Sequence, residues 1–282
     1  MIRLVGILVG LGFAFVALLA FGVGAYNAAT DPAAETAEHA FHLESEMPEG
    51  GYSFTGPIPS WDVAQLQRGY QVYKEVCSAC HSLNQLAFRD LSELGYSEDE
   101  VKAEAASWTT IPGIDPTTGE AVLRPGLPTD GFPAPYANDV AARAANNNAV
   151  PPDLSLMTKA RHNGTAYVYS LLTGYQQPSA ELATRFPDSM PGPGLNHNPY
   201  FANLNLAMAP PLSDNQVTYA DGTPATVEQM ATDVAAFLTW TAEPSLVDRV
   251  RLGWLVMGFL LFLTVLAWLA KKQVWADAKR KD

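Results

Sequence analysis

The chain has 282 residues, 48% hydrophobic and 16% charged, with two cysteines and a formal net charge of −12. That length holds one good-sized domain with accessory segments, and the acidic balance argues against nucleic acid as a partner. The tail 271–282 carries five basic and two acidic residues; with Arg3 set aside as well, −16 falls on everything between. A field of that size suits the steering of a basic partner.

Residues 1–25 begin Met-Ile-Arg and continue as a charge-free apolar run from Leu4 to Ala25. A basic start before an apolar run is the grammar of an export signal, but such cores typically run about 7–15 residues. This run of 22 is long enough to cross a bilayer of about 30 Å as a helix. The segment is expected to be a cleaved signal peptide or a retained N-terminal membrane anchor, and either puts the next part of the chain outside the cytoplasm. Residues 26–60 read as a linker containing Pro, Gly and Glu without periodicity. His39 and His42 stand three apart there with no further ligand nearby, and read as solvated side chains.

From residue 61 the pattern tightens. Val63, Leu66, Tyr70 and Tyr73 recur at helical spacing, with Ser60 or Asp62 as the cap. Ser97 and Glu100 form a capping box and predict a helix to about Trp108. Six prolines in 111–135 exclude regular helix and predict an ordered loop. The run Ala141-Ala142-Arg143-Ala144-Ala145 is helix-forming and stops near Asn146-Asn147-Asn148. Pro151-Pro152-Asp153-Leu154 reads as a rigid turn, and Tyr167–Leu172 as a helix closed by Gly174. Seven prolines between Gln176 and Pro211 make a second long loop. Loops of this length inside a compact domain are usually functional or disordered, and wrapping a large flat cofactor is a third use.

Thr226 and Gln229 make another capping box. Val227, Met230, Val234, Phe237 and Leu238 form the apolar face of the next helix, which ends before Pro244. Leu252–Ala270 is 19 residues without a charge, flanked by Arg249 and Arg251 on one side and Lys271-Lys272 on the other. It reads as a transmembrane helix, with Trp268 and Trp275 as interfacial anchors. The basic tail 271–282 places the C-terminus in the cytoplasm by the positive-inside rule.

The chemistry is carried by Cys77-Ser78-Ala79-Cys80-His81. Cys-x-x-Cys-His is the attachment signature of a c-type haem: each sulfur can add to one vinyl group along a ring edge, and the adjacent imidazole can ligate iron. These are the chain's two cysteines, and no fourth ligand stands at a zinc-site spacing. His81 leaves one axial position, for which Met157, Met190, Met208, Met230, His162 and His197 are candidates. Met157 and Met230 sit on predicted helices with apolar neighbours, where core packing is the default. Met208 lies in Ala207-Met208-Ala209-Pro210-Pro211, whose small residues admit a ring and whose prolines stiffen the strand. On local grounds Met208 leads, with His162, His197 and an open site remaining. Thioether ligation would favour electron transfer over substrate chemistry.

From about Leu66 to the C-terminus the chain resembles the cytochrome c1 family, the haem-bearing subunits of cytochrome bc1 complexes. The likeness runs through Gln67-Arg68-Gly69-Tyr70-Gln71-Val72-Tyr73, the haem motif, Ala141–Asn147, Pro151-Pro152-Asp153-Leu154-Ser155 and Ala160-Arg161-His162. It continues through Ser170–Tyr175, Asn198-Pro199-Tyr200-Phe201, Met208–Pro211, Asp221–Thr226 and Ala242-Glu243-Pro244.

The resemblance implies a mainly α, c-type cytochrome domain at 61–245 with proline-rich loops wrapping one haem c, followed by the membrane helix 252–270. It implies Met208 as distal ligand, Arg161 as hydrogen-bond donor to a haem propionate, and Asn146, Pro151, Pro152, Tyr167 and Phe201 as pocket lining. The implied role is that of an electron-carrier subunit, not an enzyme on its own. It would take electrons from a Rieske iron–sulfur protein and give them to a soluble cytochrome c during quinol oxidation. Cytochrome b and the lipid bilayer would be its other partners, within a dimeric complex in a bacterial inner membrane. The haem domain would then be periplasmic.

Overall fold

A computed structural model describes residues 2–31 and 34–276. Met1, Pro32, Ala33 and 277–282, which fall in the expected N-terminal segment, linker and basic tail, lie outside the described residues. The fold is mainly α, with loops carrying much of the haem-motif side. In chain order the helices are α1 (Ile2–Thr30), α2 (Ala37–Phe41), α3 (Val63–Glu75), α4 (Glu98–Ser107) and α5 (Asp139–Ala145). They continue with α6 (Met157–Ala160), α7 (Gly164–Thr173), α8 (Ala180–Arg185), α9 (Val227–Ala242) and α10 (Leu246–Val274).

The helix α3 starts where Asp62 accepts from the Gln65 amide at 3.1 Å, satisfying one of the first-turn donors that a helix cannot pair internally. Leu66, Gly69, Tyr70, Val72 and Tyr73 are its buried face; Val63, expected on that face, is 40% exposed. The core is the crossing of α3 over α9, and Gly69 sets its distance. A Cβ at Gly69 would lie 2.1 Å from the Asp233 carbonyl oxygen and 2.7 Å from Phe237 Cβ. Around the crossing the Tyr70 and Tyr73 rings meet Phe237 at 5.6 and 5.9 Å, and both meet Phe132 at 6.0 Å. Burying each such ring contributes about 1.5–3 kcal/mol. Helices α6 and α7 pack on the other side of α9.

A buried ion pair crosses the same interface. Arg68 donates through Nε and Nη2 to the two oxygens of Asp233 at 3.0 and 3.2 Å, and through Nη1 to Asp221 at 2.8 Å. The Asp233 side chain is fully buried, so the fork of Arg68 and the Gln229 amide (2.9 Å) satisfy it in place of water.

The capping box expected at Ser97 and Glu100 forms completely. At Thr226 only half forms: Thr226 accepts from the Gln229 amide, while the Gln229 side chain turns to Asp233 instead. The loop expected over 111–135 contains an antiparallel hairpin, β1 (Ile111–Ile114) with β2 (Ala121–Arg124). Prolines do not prevent it, because a two-stranded ribbon has only edge strands, where a missing N–H is tolerated. Asp115 turns the chain by accepting from the Thr117 and Thr118 amides at 2.7 and 3.3 Å, and Gly119 takes a left-handed φ of 74°. The second long loop contains α8 and a two-residue pairing, β3 (Asn196–His197) with β4 (Asn205–Leu206).

Within the segment read as a linker, α1 continues to Thr30, α2 is capped by Thr36, and Tyr52 and Phe54 are buried in the main core. His39 and His42 are exposed. Both α1 and α10 are long and apolar enough to cross a membrane, and the apolar stretch of each has no buried residue.

Candidate functional site

The haem motif begins where α3 ends. Val76 closes the helix, and a single 3-10 turn, Cys77–Ala79, comes next. The Cys80 and His81 amides both donate to the Cys77 carbonyl, at 3.1 and 2.9 Å. Ser78 Oγ donates back to the Lys74 carbonyl at 2.7 Å, so the turn is fastened to the helix that carries it. Both cysteines are half-buried. Burial, with the Cys80 thiol as a smaller cause, pushes the Cys77 thiol up to about 12.

His81 is oriented by one contact. Its Nδ1 lies 2.8 Å from the Pro152 carbonyl oxygen. A carbonyl can only accept, so Nδ1 carries the proton and the Nε2 lone pair is left for a metal; this is the usual outer support of a ligating histidine. Burial pushes the His81 pKa down, against the pull of the Pro152 carbonyl and Asp153, which favours the neutral, ligating imidazole. The Tyr73 hydroxyl also donates to the His81 carbonyl, at 3.3 Å.

Pro152 is held in turn by its neighbour. Asp153 accepts from Ser82 Oγ and the Asn84 amide, both at 2.8 Å, and from the Ser155 amide at 2.9 Å. The Leu154 amide donates to the Ser82 carbonyl at 3.0 Å, and the Gln85 amide to Ser155 Oγ at 3.0 Å. Burial alone would raise the Asp153 carboxyl, but the hydrogen bonds from Ser155, Asn84 and Ser82 outweigh it and hold the group below its ordinary range. Pro151-Pro152-Asp153 is thus clasped to the segment directly after the haem motif.

Met208 is half-buried. Its carbonyl accepts from the Tyr175 hydroxyl at 3.1 Å and from Asn196 Nδ2 at 3.4 Å, which fixes the backbone leading into Pro210-Pro211. Among the other candidate ligands, Met230 is fully buried in the α9 core and Met157 packs against it, while His162 and Met190 are exposed. His197 is buried with its Nδ1 unpartnered.

Arg161 is exposed, its guanidinium 5.9 Å from the Tyr167 ring centroid and Nη1 donating to the Ala160 carbonyl at 3.2 Å. It pairs with no carboxylate among the described residues, which leaves its fork for an external acid. The structure therefore joins His81 with Pro152 and Arg161 with Tyr167. Asn146 Nδ2 donates to the Ala142 carbonyl at 2.7 Å, and the Phe201 amide donates to the Asn198 carbonyl at 3.1 Å within its own turn.

Two thiols on one turn, an imidazole with Nε2 free, a half-buried thioether on a hydrogen-bonded backbone and a guanidinium without a carboxylate partner among the described residues are a donor set that fits a haem. Among the described residues no cluster of three His, Cys, Asp or Glu competes as a metal site. Sequence reasoning assigned no role to Asp153, Tyr175 or Asn196. Asp153 was findable, since an Asp two residues before a Ser is an Asx-turn signal; the other two act across loops and left no local mark.

The comparisons agree in direction. The model of the family described as the Cytochrome C1 family matches residues 52–278, beginning at the buried Tyr52. The chain is 45% identical over 258 residues to "Cytochrome c1 1, heme protein, mitochondrial" of Arabidopsis thaliana, covering 90% of this chain and 79% of that one. It is 45% identical over 237 residues to "Cytochrome c1" of Rhodospirillum rubrum, covering 81% and 87%. It is also 44% identical over 250 residues to "Cytochrome b/c1" of Bradyrhizobium diazoefficiens, covering 83% of this chain and 36% of that longer protein.

Proposed function

Because the chain belongs to the cytochrome c1 family, we propose that it is the electron-carrier subunit of a bacterial cytochrome bc1 complex. In this reading it accepts electrons from a Rieske iron–sulfur protein and delivers them to a soluble cytochrome c, and it makes and breaks no substrate bond itself. A bound haem c would supply a one-electron iron couple. Cys77 and Cys80 would hold it covalently, His81 Nε2 and the Met208 thioether would ligate its iron, and Arg161 would pair a propionate. Asn146, Pro151, Pro152, Tyr167 and Phe201 line the pocket and keep water from the ring.

The observation that carries this reading is the His81–Pro152 hydrogen bond at 2.8 Å, which fixes the tautomer a proximal ligand requires. The fused name of the Bradyrhizobium relative supports cytochrome b as the membrane partner. The exposed, apolar α10 supports a membrane anchor, the basic tail 271–282 supports a cytoplasmic C-terminus with the haem domain on the periplasmic face, and the family resemblance supports a dimeric complex.

The reading is tested on membranes expressing the chain. Haem should stay on the polypeptide through denaturing electrophoresis, Cys77→Ala should lose it, and quinol-reduced membranes should reduce a basic cytochrome c. Haem that leaves the wild-type chain on denaturation would contradict the attachment.

A further inference from the structure

The loop Tyr52–Trp61 is a rigid wedge set beside the start of α10. Its base is held in the core, where the Tyr52 and Phe54 rings stack at 4.9 Å and Phe54 meets Trp61 at 4.9 Å. Ser53 and Ser60 close its neck: the Ser60 amide donates to the Ser53 carbonyl at 3.0 Å, and Ser53 Oγ to the Ser60 carbonyl at 2.8 Å. Two side chains of α10 then take up the tip. Arg251 donates to the Pro59 carbonyl at 3.1 Å and Trp254 Nε1 to the Pro57 carbonyl at 2.7 Å. Trp61 Nε1 donates to the Pro244 carbonyl at 3.2 Å, joining the base of the wedge to the start of the same helix.

We propose that Gly56-Pro57-Ile58-Pro59 is a second membrane contact, with Ile58 inserted at the headgroup–acyl boundary of the lipid bilayer. Trp254 lies two residues, about 3 Å, past the start of the apolar run at Leu252, so the Pro57 carbonyl that it binds is level with the edge of the hydrocarbon. Ile58 is 85% exposed there, an apolar side chain raised on a fixed support.

The backbone of the tip is suited to that environment. Pro57 and Pro59 carry no N–H, and their carbonyls are already paired with Trp254 and Arg251. Both features lower the cost of shedding water at the tip, and the Gly56 and Ile58 backbone groups stay at the hydrated headgroup level while the Ile58 side chain reaches the acyl boundary. Residues 50–61 hold no charge. Arg251 and Trp254 are also residue types that settle at the membrane interface. The wedge would give the domain two points of support on the bilayer and so fix its tilt. The inference rests on the proposed membrane span of α10.

Single-cysteine variants test it: Ile58→Cys, Leu260→Cys in the middle of α10, and Ile114→Cys on the exposed hairpin. Each is spin-labelled in the haem-loaded complex reconstituted in phosphatidylcholine–phosphatidylglycerol vesicles, with the wild-type complex labelled in parallel as background. Collision rates with oxygen and with a nickel chelate then report depth. The ratio of oxygen to nickel accessibility at position 58 should lie well above that at 114 and toward that of a lipid-facing site. A ratio at 58 equal to that at 114 would overturn the wedge, as would shielding from both reagents, which marks contact with a protein; in either case a nickel-inaccessible label at 260 leaves the span standing. A nickel-accessible label at 260 would remove the span and the wedge together.

Discussion

His81 Nδ1 and the Pro152 carbonyl oxygen stand 2.8 Å apart although 71 residues separate them. The contact exists because Asp153, the next residue, gathers Ser82, Asn84 and Ser155 around one carboxylate. His81, the proposed proximal ligand, is therefore oriented by a loop that is itself pinned to the residues just beyond the haem motif. Asp153→Ala leaves those donors without their acceptor and is expected to cost about 2–3 kcal/mol in denaturant unfolding. A change within ~0.5 kcal/mol would show that the clasp contributes nothing.

The same carboxylate gives a pH dependence. The folded Asp153 pKa lies below the ordinary aspartate value of about 3.9, so the unfolded chain takes up the proton more readily. The contribution is fully present above the unfolded pKa and is lost as pH falls through the folded one. The stability gap between wild type and Asp153→Asn should be constant from about pH 5 to 7 and narrow below about pH 4. A gap that widens in acid would reverse the assignment.

Arg68 and Asp233 tie α3 to α9. Arg68→Leu leaves the fully buried Asp233 carboxylate without its cation and should cost about 3–5 kcal/mol. Arg68→Leu combined with Asp233→Leu should be less destabilised than Arg68→Leu alone, since no buried charge remains. Equal or greater loss in the double variant, measured by thermal melting, would refute the desolvation argument.

Gly69→Ala drives a methyl group into the backbone of α9. Overpacking of this kind typically costs about 1–3 kcal/mol, and here the obstacle is backbone that cannot rotate away. The variant should melt earlier and accumulate less holoprotein; a wild-type melting temperature would mean that the helices separate freely.

Docking to the acceptor should depend on salt. The region between Arg3 and the basic tail carries −16, and screening lengths fall to about 8 Å at physiological ionic strength. Electron transfer to a basic cytochrome c, followed by stopped flow, should slow as salt is raised. A flat profile would exclude electrostatic steering.

The sequence carried the helical frame well where local signals and tertiary packing agree, as at the Asp62 cap and the Ser97–Glu100 box. It misled where a distant group competed: Gln229 abandons its own cap for the buried Asp233, a residue four positions on whose need arises only when α3 arrives. The β1–β2 hairpin was hidden because prolines were weighed as breakers, while Asp115 and Gly119 between them supply its turn. Of the proposed site, Cys77, Cys80 and His81 are read from spacing alone. Their support is not, because Pro152, Asp153 and Tyr175 act across loops whose closure no local pattern encodes.

His81 and Met208 are the proposed ligand pair of a covalently held haem, and a redox-titrated optical spectrum of wild type and Met208→Leu tests that pairing most directly. Wild type should show a c-type band, a high midpoint potential and the methionine-to-iron charge-transfer band. Met208→Leu should keep the covalent haem, lose that band and titrate at a lower potential, because a thioether ligand raises the potential. An unchanged potential and band in the variant would show that Met208 does not ligate the iron.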